Sequence, residues 1–351
     1  LLDTMTERFI SKIFICFLCL SFNVYSSVNE EAILSDNYPS KLSEYGFFSN
    51  QAKQIPEAEI LPYSLITPLF SDYADKNRFV YVPQGQTAEY QNNEVFKFPI
   101  GSVLIKTFSY KKINSNDSQR TLIETRLLLN KKSGWDAVTY VWNKDQDEAY
   151  LSIAGKTVLT EYFDDSDTPI NIRYRVPNKN QCKECHLKND TLVPIGPKPR
   201  NLNRIVHYSD GPMNQLLKWE AMNLTAKNHE EITSVADFTN ANESLDKRAR
   251  AYLDINCGHC HSKTGSANTT GLYLNLNETN KKSIGIFKPP VAAGRATGTF
   301  KYSIVPGHPD QSILLYRMIS GEPDIMMPES GRAIAHQEGI DLIREWITAM
   351  E

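Results

Sequence analysis

The stretch RARAYLDINCGHCH, residues 248–261, joins a helical pattern to a Cys-x-x-Cys-His motif. The positions with helical spacing are Leu245, Ala249, Tyr252, Leu253 and Asn256. Ser244 is a suitable N-cap residue before them. We therefore predict a helix that begins after Ser244 and delivers Cys257, Cys260 and His261 at its end.

The same motif occurs about seventy residues earlier, in NQCKECH at residues 180–186. Its members are Cys182, Cys185 and His186. The preceding residues 170–176 alternate apolar and polar side chains as a β-strand does, and Pro177 ends the pattern. The first motif is therefore predicted to follow a strand and a short turn instead of a long helix.

Cys-x-x-Cys-His is the attachment signature of c-type haem, in which both thiols bond the porphyrin and the histidine binds the iron. Two copies predict two covalently bound haem c groups, held by Cys182, Cys185, Cys257 and Cys260, with His186 and His261 as iron ligands. The alternatives are a thioredoxin-like redox pair, a zinc site and structural disulfides. A redox pair needs no following histidine, zinc sites rarely repeat this pattern, and a two-residue disulfide loop is short.

Residues 1–26 have the features of a secretory signal peptide. Basic residues precede an apolar run at 13–22, and Val24 and Ser26 fit the small-residue rule before a cleavage site. Cleavage after Ser26 would remove Cys16 and Cys19 and leave cysteines only in the two motifs. We therefore expect a periplasmic protein with no membrane span after signal removal. The formal net charge of −3 argues against nucleic-acid binding.

The sixth iron ligand of the second haem is predicted from a Met-Pro segment. The segment IMMPESGR, residues 325–332, resembles the Met-Pro segment of class I cytochrome c domains. Met327, directly before Pro328, fits that role best, and Met326 is the alternative.

The first haem has no comparable ligand, because residues 27–181 contain neither histidine nor methionine. His207 is the leading candidate. Met213, Met222, His229 and an open iron position remain as alternatives. Lys198, Arg200 and Arg204 could pair with haem propionates, or they could form a solvated basic loop.

The predicted fold class is α+β, with a β-rich N-terminal sandwich or meander followed by mainly α-helical, cytochrome c-like haem regions. Short runs rich in Val, Thr, Tyr, Phe and Trp, separated by turn residues, indicate the strands. The expected divisions are a signal peptide at 1–26, a β-rich domain at 27–175, a first haem region at 176–241 and a class I cytochrome c-like domain at 242–351. The C-terminal stretch HQEGIDLIREWITAM, residues 336–350, has an apolar helical face that should pack against the helix before Cys257.

The chain resembles a family of bacterial periplasmic dihaem c-type cytochromes of unassigned role. The resemblance rests on the motifs FPIGSVLIKTFSY, NQCKECH, PIGPKPRNLNR, RARAYLDINCGHCH, PPVAAGRATG, IVPGHPDQSI and MMPESGR, and runs from about Asp72 to the end. It implies electron transfer with periplasmic redox proteins as donor and acceptor, and a parallel β-helix protein as a further partner. The alternative function is a dihaem redox enzyme, peroxidase-like or oxidase-like, with one open haem. No catalytic residue is predicted, and an electron carrier is favoured over an enzyme.

Overall fold

A six-stranded antiparallel sheet forms the centre of the N-terminal half. The computed structural model describes residues 27–112, 120–163, 168–227, 231–291 and 293–351, so the expected signal peptide at 1–26 lies outside the described residues. The strands are β3 (Ile60–Pro62), β4 (Asp75–Tyr81), β5 (Val103–Lys111), β6 (Arg120–Lys131), β7 (Gly134–Trp142) and β8 (Ala149–Leu151). They lie side by side in chain order, which confirms the predicted β meander.

Four two-stranded hairpins accompany this sheet. They are β1 (Phe48–Asn50) with β2 (Ile55–Pro56), β9 (Lys156–Phe163) with β10 (Pro169–Val176), β11 (Leu187–Lys188) with β12 (Thr191–Leu192), and β13 (Ile205–Tyr208) with β14 (Gly211–Asn214). All four are antiparallel. The strand β10 leads directly toward the first Cys-x-x-Cys-His motif.

The helices are short around the first Cys-x-x-Cys-His motif and longer near the C-terminus. They are α1 (Glu30–Leu34), α2 (Lys179–His186), α3 (Pro199–Leu202), α4 (Gln215–Ala221), α5 (Leu245–Asn256), α6 (Lys281–Ile284), α7 (Ile313–Ile319) and α8 (Gln337–Thr348). Short 3₁₀ turns occupy Leu42–Tyr45, Asn268–Thr270, Gly294–Thr297 and Pro309–Gln311. The Ser244 side chain caps α5 by accepting from the backbone N–H of Lys247, as predicted.

Helices α5 and α8 share one apolar core, which confirms the predicted packing of the two helices. Its fully buried members include Leu253 from α5 and Ile343 and Ile347 from α8, and α7 adds Leu315. Burying such side chains contributes about 1.5–3 kcal/mol each. This core therefore holds the helix that ends at Cys257.

The prediction of mainly α-helical haem regions is wrong. Among the described residues, only 24% are helical and 28% are in strands. After residue 176 the chain forms two hairpins and long irregular segments between short helices. Proline explains part of the difference, because it removes a backbone donor and restricts its neighbour. Pro194, Pro197, Pro289 and Pro290 all lie in these non-helical segments.

The sheet region packs against chain segments that follow each of the two Cys-x-x-Cys-His motifs. On one face, Phe96 and Leu104 form a core with Trp219 of α4 and Leu202 of α3. Farther along the sheet, the Asp72 carboxylate accepts from the backbone N–H groups of Ala333 and Ile334, at 2.7 and 3.0 Å. These contacts bring the sheet, α2 and the C-terminal helices around one interior space.

Within the described ranges, every helix is too short or too polar to cross a lipid bilayer.

Candidate functional site

The first motif lies within the eight-residue helix α2. A reciprocal capping box fixes the start of this helix, because Asn178 accepts from the backbone of Gln181 and the Gln181 side chain accepts from the backbone of Asn178. Cys182 and Cys185 are three residues apart and therefore lie on one face of the helix. Both thiols are half-buried and line a cavity of about 650 Å³ together with His186.

The ring of His186 has a defined tautomer. Its Nδ1 lies 2.7 Å from the carbonyl oxygen of Val193, which can only accept a hydrogen bond. Nδ1 therefore carries the proton, and Nε2 is left with a lone pair. Burial lowers the pKa of His186 to about 3, so the ring is neutral at physiological pH. A neutral, oriented imidazole of this kind is suited to bind a metal ion.

The second motif begins where α5 ends. Cys257 is the C-cap residue of α5, and the backbone N–H groups of Cys257 and Gly258 both donate to the carbonyl of Leu253. A side chain at Gly258 would place its Cβ 2.8 Å from the carbonyl oxygen of Asp254. Glycine thus permits the close turn that brings Cys260 and His261 back toward the cavity, which they line with Cys257.

His261 resembles His186 in being half-buried and neutral. Burial lowers its pKa to about 4. Its Nδ1 is buried and has no hydrogen-bond partner among the residues described. The ring also has a backbone hydrogen bond with Leu272, and His261 lines the cavity. A buried ring nitrogen without a partner fits a ring whose ordinary partner is a bound group.

The two motifs meet inside the protein. The sulfur atoms of Cys185 and Cys260 and a ring nitrogen of His259 all lie within 4.8 Å of one another. The Cys260 thiol donates to the Glu184 carbonyl oxygen at 3.5 Å. The contact between the thiols raises the pKa of Cys185 to about 12 and lowers the pKa of Cys260. The second cysteine of each motif is therefore the point where the two sites join.

All four motif cysteines are free thiols. Cys257 packs against the C-terminal core, and burial raises its pKa to about 12. Disulfide bonding within either motif, one of the alternatives raised by the sequence, is not the arrangement of these side chains.

The two methionines before Pro328 have different positions. Met327 is half-buried and lines the same cavity as His261. Its backbone is held on both sides, since its N–H donates to the Arg317 carbonyl and its carbonyl accepts from Arg332 Nε at 3.1 Å. Met326 is only 7% exposed and lines a second, adjoining cavity of about 740 Å³. Met327 also lines this second cavity, so the two residues differ in that Met327 lines the 650 Å³ cavity as well and Met326 is the more deeply buried.

None of the described candidates for the sixth ligand of the first haem, His207, Met213 and Met222, lines the 650 Å³ cavity. His207 lies on the exposed β13–β14 hairpin, and Met213 and Met222 are 38% and 41% exposed. His229 lies outside the described residues. The hairpin directs this part of the chain to the surface, which a count of sequence separation could not reveal.

The cavity instead contains three histidine or methionine residues that the sequence analysis did not select: His259, Met318 and His336. Both ring nitrogens of His336 have partners, the Tyr252 hydroxyl at 3.0 Å and the Glu338 carboxylate at 3.4 Å. Met318 belongs to the C-terminal core. His259 was visible in the sequence as a spacer residue of the second motif, but its approach to Cys185 depends on the fold.

The cavity wall is strongly basic. Seven cationic residues line it, against two carboxylates: Arg78, Lys106, Arg126, Arg175, Lys288, Arg317 and Arg332 against Glu184 and Glu329. The chain as a whole is mildly acidic. This local excess of positive charge fits a ligand that carries negative groups.

The basic loop suggested by the sequence has protein partners instead. Arg200 and Lys198 contact the buried Asp254 carboxylate at 2.8 and 3.4 Å. Arg204 donates to the carbonyl of Leu65 at 2.9 Å. These side chains tie the loop after the first motif to the sheet and to α5, and they do not line the cavity.

A comparison with protein-family models, curated proteins and solved structures found no significant match to this chain, so any functional assignment depends on the chemistry of this cavity.

Proposed function

We propose that this protein is a dihaem c-type cytochrome that carries electrons. The observation that supports it most directly is the convergence of both Cys-x-x-Cys-His motifs and Met327 on one basic cavity. Two motifs that matched by chance would have no reason to face the same interior space. The proposal also accounts for the use of all four described cysteines.

Each cysteine would form one thioether bond to a haem, so that two cysteines hold each haem. The sulfur bonds one carbon of a vinyl group and a proton adds to the other, so no oxidant is consumed. Cys182 and Cys185 would hold one group, and Cys257 and Cys260 the other. The neutral rings of His186 and His261 would bind the two irons, and the thioether of Met327 would complete the second site.

Bound haem would supply one-electron redox chemistry, in which an electron from a reduced donor protein is later passed to an oxidised acceptor. A methionine ligand favours ferrous iron and therefore suits a site that accepts electrons readily. Periplasmic redox proteins would be the partners, and the family resemblance adds a parallel β-helix protein. The approach of Cys185 and Cys260 places the two attachment points next to each other, which favours transfer between the sites.

A redox enzyme with one open haem is the second candidate. It is supported by the lack of a cavity-facing ligand among His207, Met213 and Met222, and by the engaged ring nitrogens of His336. An iron without a sixth protein ligand could bind a small molecule such as peroxide.

The experiment that tests the proposal is intact mass measurement and a pyridine haemochrome spectrum on full-length protein exported from a host that matures c-type haem. We expect two covalent haems per chain. The same sample is then exposed to carbon monoxide after reduction. An unchanged spectrum supports the carrier, and binding to one haem supports the enzyme.

Protein without haem would overturn both functions and direct attention to the Cys185, His259 and Cys260 cluster. Those three side chains could take a soft divalent metal such as zinc. Elemental analysis of the same sample would then report a stoichiometric metal.

A further inference from the structure

Three cations form a row across the central sheet. Arg78 on β4 is directly opposite Lys106 on β5, and Lys106 is directly opposite Arg126 on β6. Directly paired residues of neighbouring strands project from the same face of a sheet. All three side chains line the 650 Å³ cavity. The row therefore presents three positive charges to the interior.

The protein compensates only one of these charges. Arg126 is ion-paired with the buried carboxylate of Glu124. Arg78 donates to the carbonyl of Lys76 at 3.2 Å and has no carboxylate partner in the described chain. Lys106 has no hydrogen bond or ion pair with any described residue, and its Nζ lies over the ring of Phe108, 5.1 Å from the centroid.

Such a row is costly for the fold. Like charges directly opposite each other destabilise a sheet, and a buried charge needs a partner. Burial, followed by the charge of Arg126, lowers the pKa of Lys106 to about 7. Burial also lowers the pKa of Arg78. A bound anion in the cavity would relieve both effects.

The row lies next to the first motif. Burial raises the pKa of Cys182, and Arg126 and Lys106 are the neighbouring cations that lower it. The position of Arg126 is fixed, since its guanidinium lies 4.3 Å from the ring centroid of Phe108 and 3.3 Å from the Tyr174 hydroxyl. Cys182 therefore has a preformed cationic surface beside it.

We propose that Arg78, Lys106 and Arg126 bind the propionate carboxylates of the haem attached at Cys182 and Cys185. This inference rests on the proposed dihaem function. Arginine and lysine both form charge-assisted hydrogen bonds with carboxylates, and arginine can do so through two parallel N–H groups. The assignment replaces the loop of Lys198, Arg200 and Arg204, which does not line the 650 Å³ cavity.

The test compares Lys106→Gln and Arg78→Gln with Arg120→Gln in the full-length exported protein. Arg120 is the matched control, because it belongs to the same sheet, is paired with Asp75 and does not line the cavity. Each protein is studied by resonance Raman spectroscopy of the propionate bending modes and by potentiometric titration of both haems.

We expect both cavity variants to shift a propionate mode of one haem. They should also lower the equilibrium constant for reduction of that haem by about tenfold each, because a nearby cation stabilises the reduced, less positive form. Arg120→Gln should change neither quantity. Two attached haems with unchanged propionate modes and potentials in both variants would overturn the inference and leave the cytochrome function intact.

Two further outcomes also decide the matter. A change from low-spin to high-spin iron in Lys106→Gln, with unaltered propionate modes, would show that Lys106 binds iron and would overturn its assignment here. Arg78→Gln gives an independent answer if the lysine variant does not fold, since arginine stays protonated and does not act as an iron ligand. Absence of haem from the unmodified protein would instead refute the proposed function itself.

Discussion

The two Cys-x-x-Cys-His motifs have the same spacing but are positioned by different means. The second follows a twelve-residue helix with eight buried residues. The first lies in an eight-residue helix with none. That helix is held by its capping box and by an ion pair of 2.6 Å between Lys179 and Asp136 of β7. Apolar packing therefore positions one site, and polar contacts with a sheet position the other.

This difference suggests that the two sites respond differently to perturbation. A motif built into an apolar core depends on side-chain volume. The stability of a motif held by hydrogen bonds depends on donors, acceptors and charge. Each such contact contributes less free energy than the burial of an apolar side chain.

Removal of either cysteine pair should have the largest effect and should distinguish the two sites most clearly. We expect both Cys182→Ala with Cys185→Ala and Cys257→Ala with Cys260→Ala to reduce the haem content from two to one, as read from intact mass. The second double variant should lose more stability to urea, because Cys257 packs against the C-terminal core. Loss of both haems in either variant would show that the sites cannot assemble separately.

Asp254 connects the two regions through a buried charge cluster. We expect Asp254→Asn to cost about 3–5 kcal/mol in urea unfolding at pH 7, because Arg200 and Lys198 would remain buried without a counter-charge. The exposed pair of Lys97 and Glu89, whose side chains are 66% and 62% exposed, provides the control, and Glu89→Gln should leave the stability unchanged.

Asp254 also predicts how the stability of the fold changes at acidic pH. Burial alone would raise the pKa of Asp254, but Lys198 and Arg200 outweigh it and the net pKa lies below the usual 3.8. A lowered pKa stabilises the folded state above about pH 3.8, and that stability is lost as the pH falls through the folded value. The unmodified protein should therefore lose stability below about pH 4 more steeply than Asp254→Asn. Equal slopes would contradict the role of this carboxylate.

The adjacent methionines offer a sharper comparison within the second site. Met327→Ala should lower the potential of one haem and leave covalent attachment intact, because the thioether favours ferrous iron. Met326→Ala should leave both potentials unchanged and cost about 2–5 kcal/mol of stability through a core cavity. The opposite pattern, a lowered potential in Met326→Ala and only a loss of stability in Met327→Ala, would make Met326 the ligand and Met327 the packing residue.

The helix caps provide the smallest test. Asn178→Ala and Ser244→Ala should each cost about 1 kcal/mol. Hydrogen exchange should increase in α2 for the first and in α5 for the second, with a larger relative effect in α2, which has no buried face. Asn178→Asp and Ser244→Thr keep a capping oxygen and should retain protection. If these conservative variants lost as much hydrogen-exchange protection as the alanine variants, the cap oxygen would not be what stabilises the start of each helix.

Local signals carried most of what the sequence predicted correctly. Helical spacing and a capping serine located α5, the apolar periodicity of residues 336–350 located α8, and alternation with turn residues located the meander. These patterns succeed because they depend on neighbours within a few residues. The helical content after residue 176 was overestimated, since proline-rich segments with few periodic apolar positions form loops between distant elements.

The sequence by itself determined the chemistry available to this protein: two cysteine pairs, the histidine after each and a methionine before Pro328. Their spacing is local and is readable in the chain. Only the tertiary structure decided that both motifs meet at Cys185 and Cys260, that His207 is exposed and that Arg78, Lys106 and Arg126 form one row. Those relations depend on strand register and on contacts between residues far apart in the chain, which no local pattern encodes.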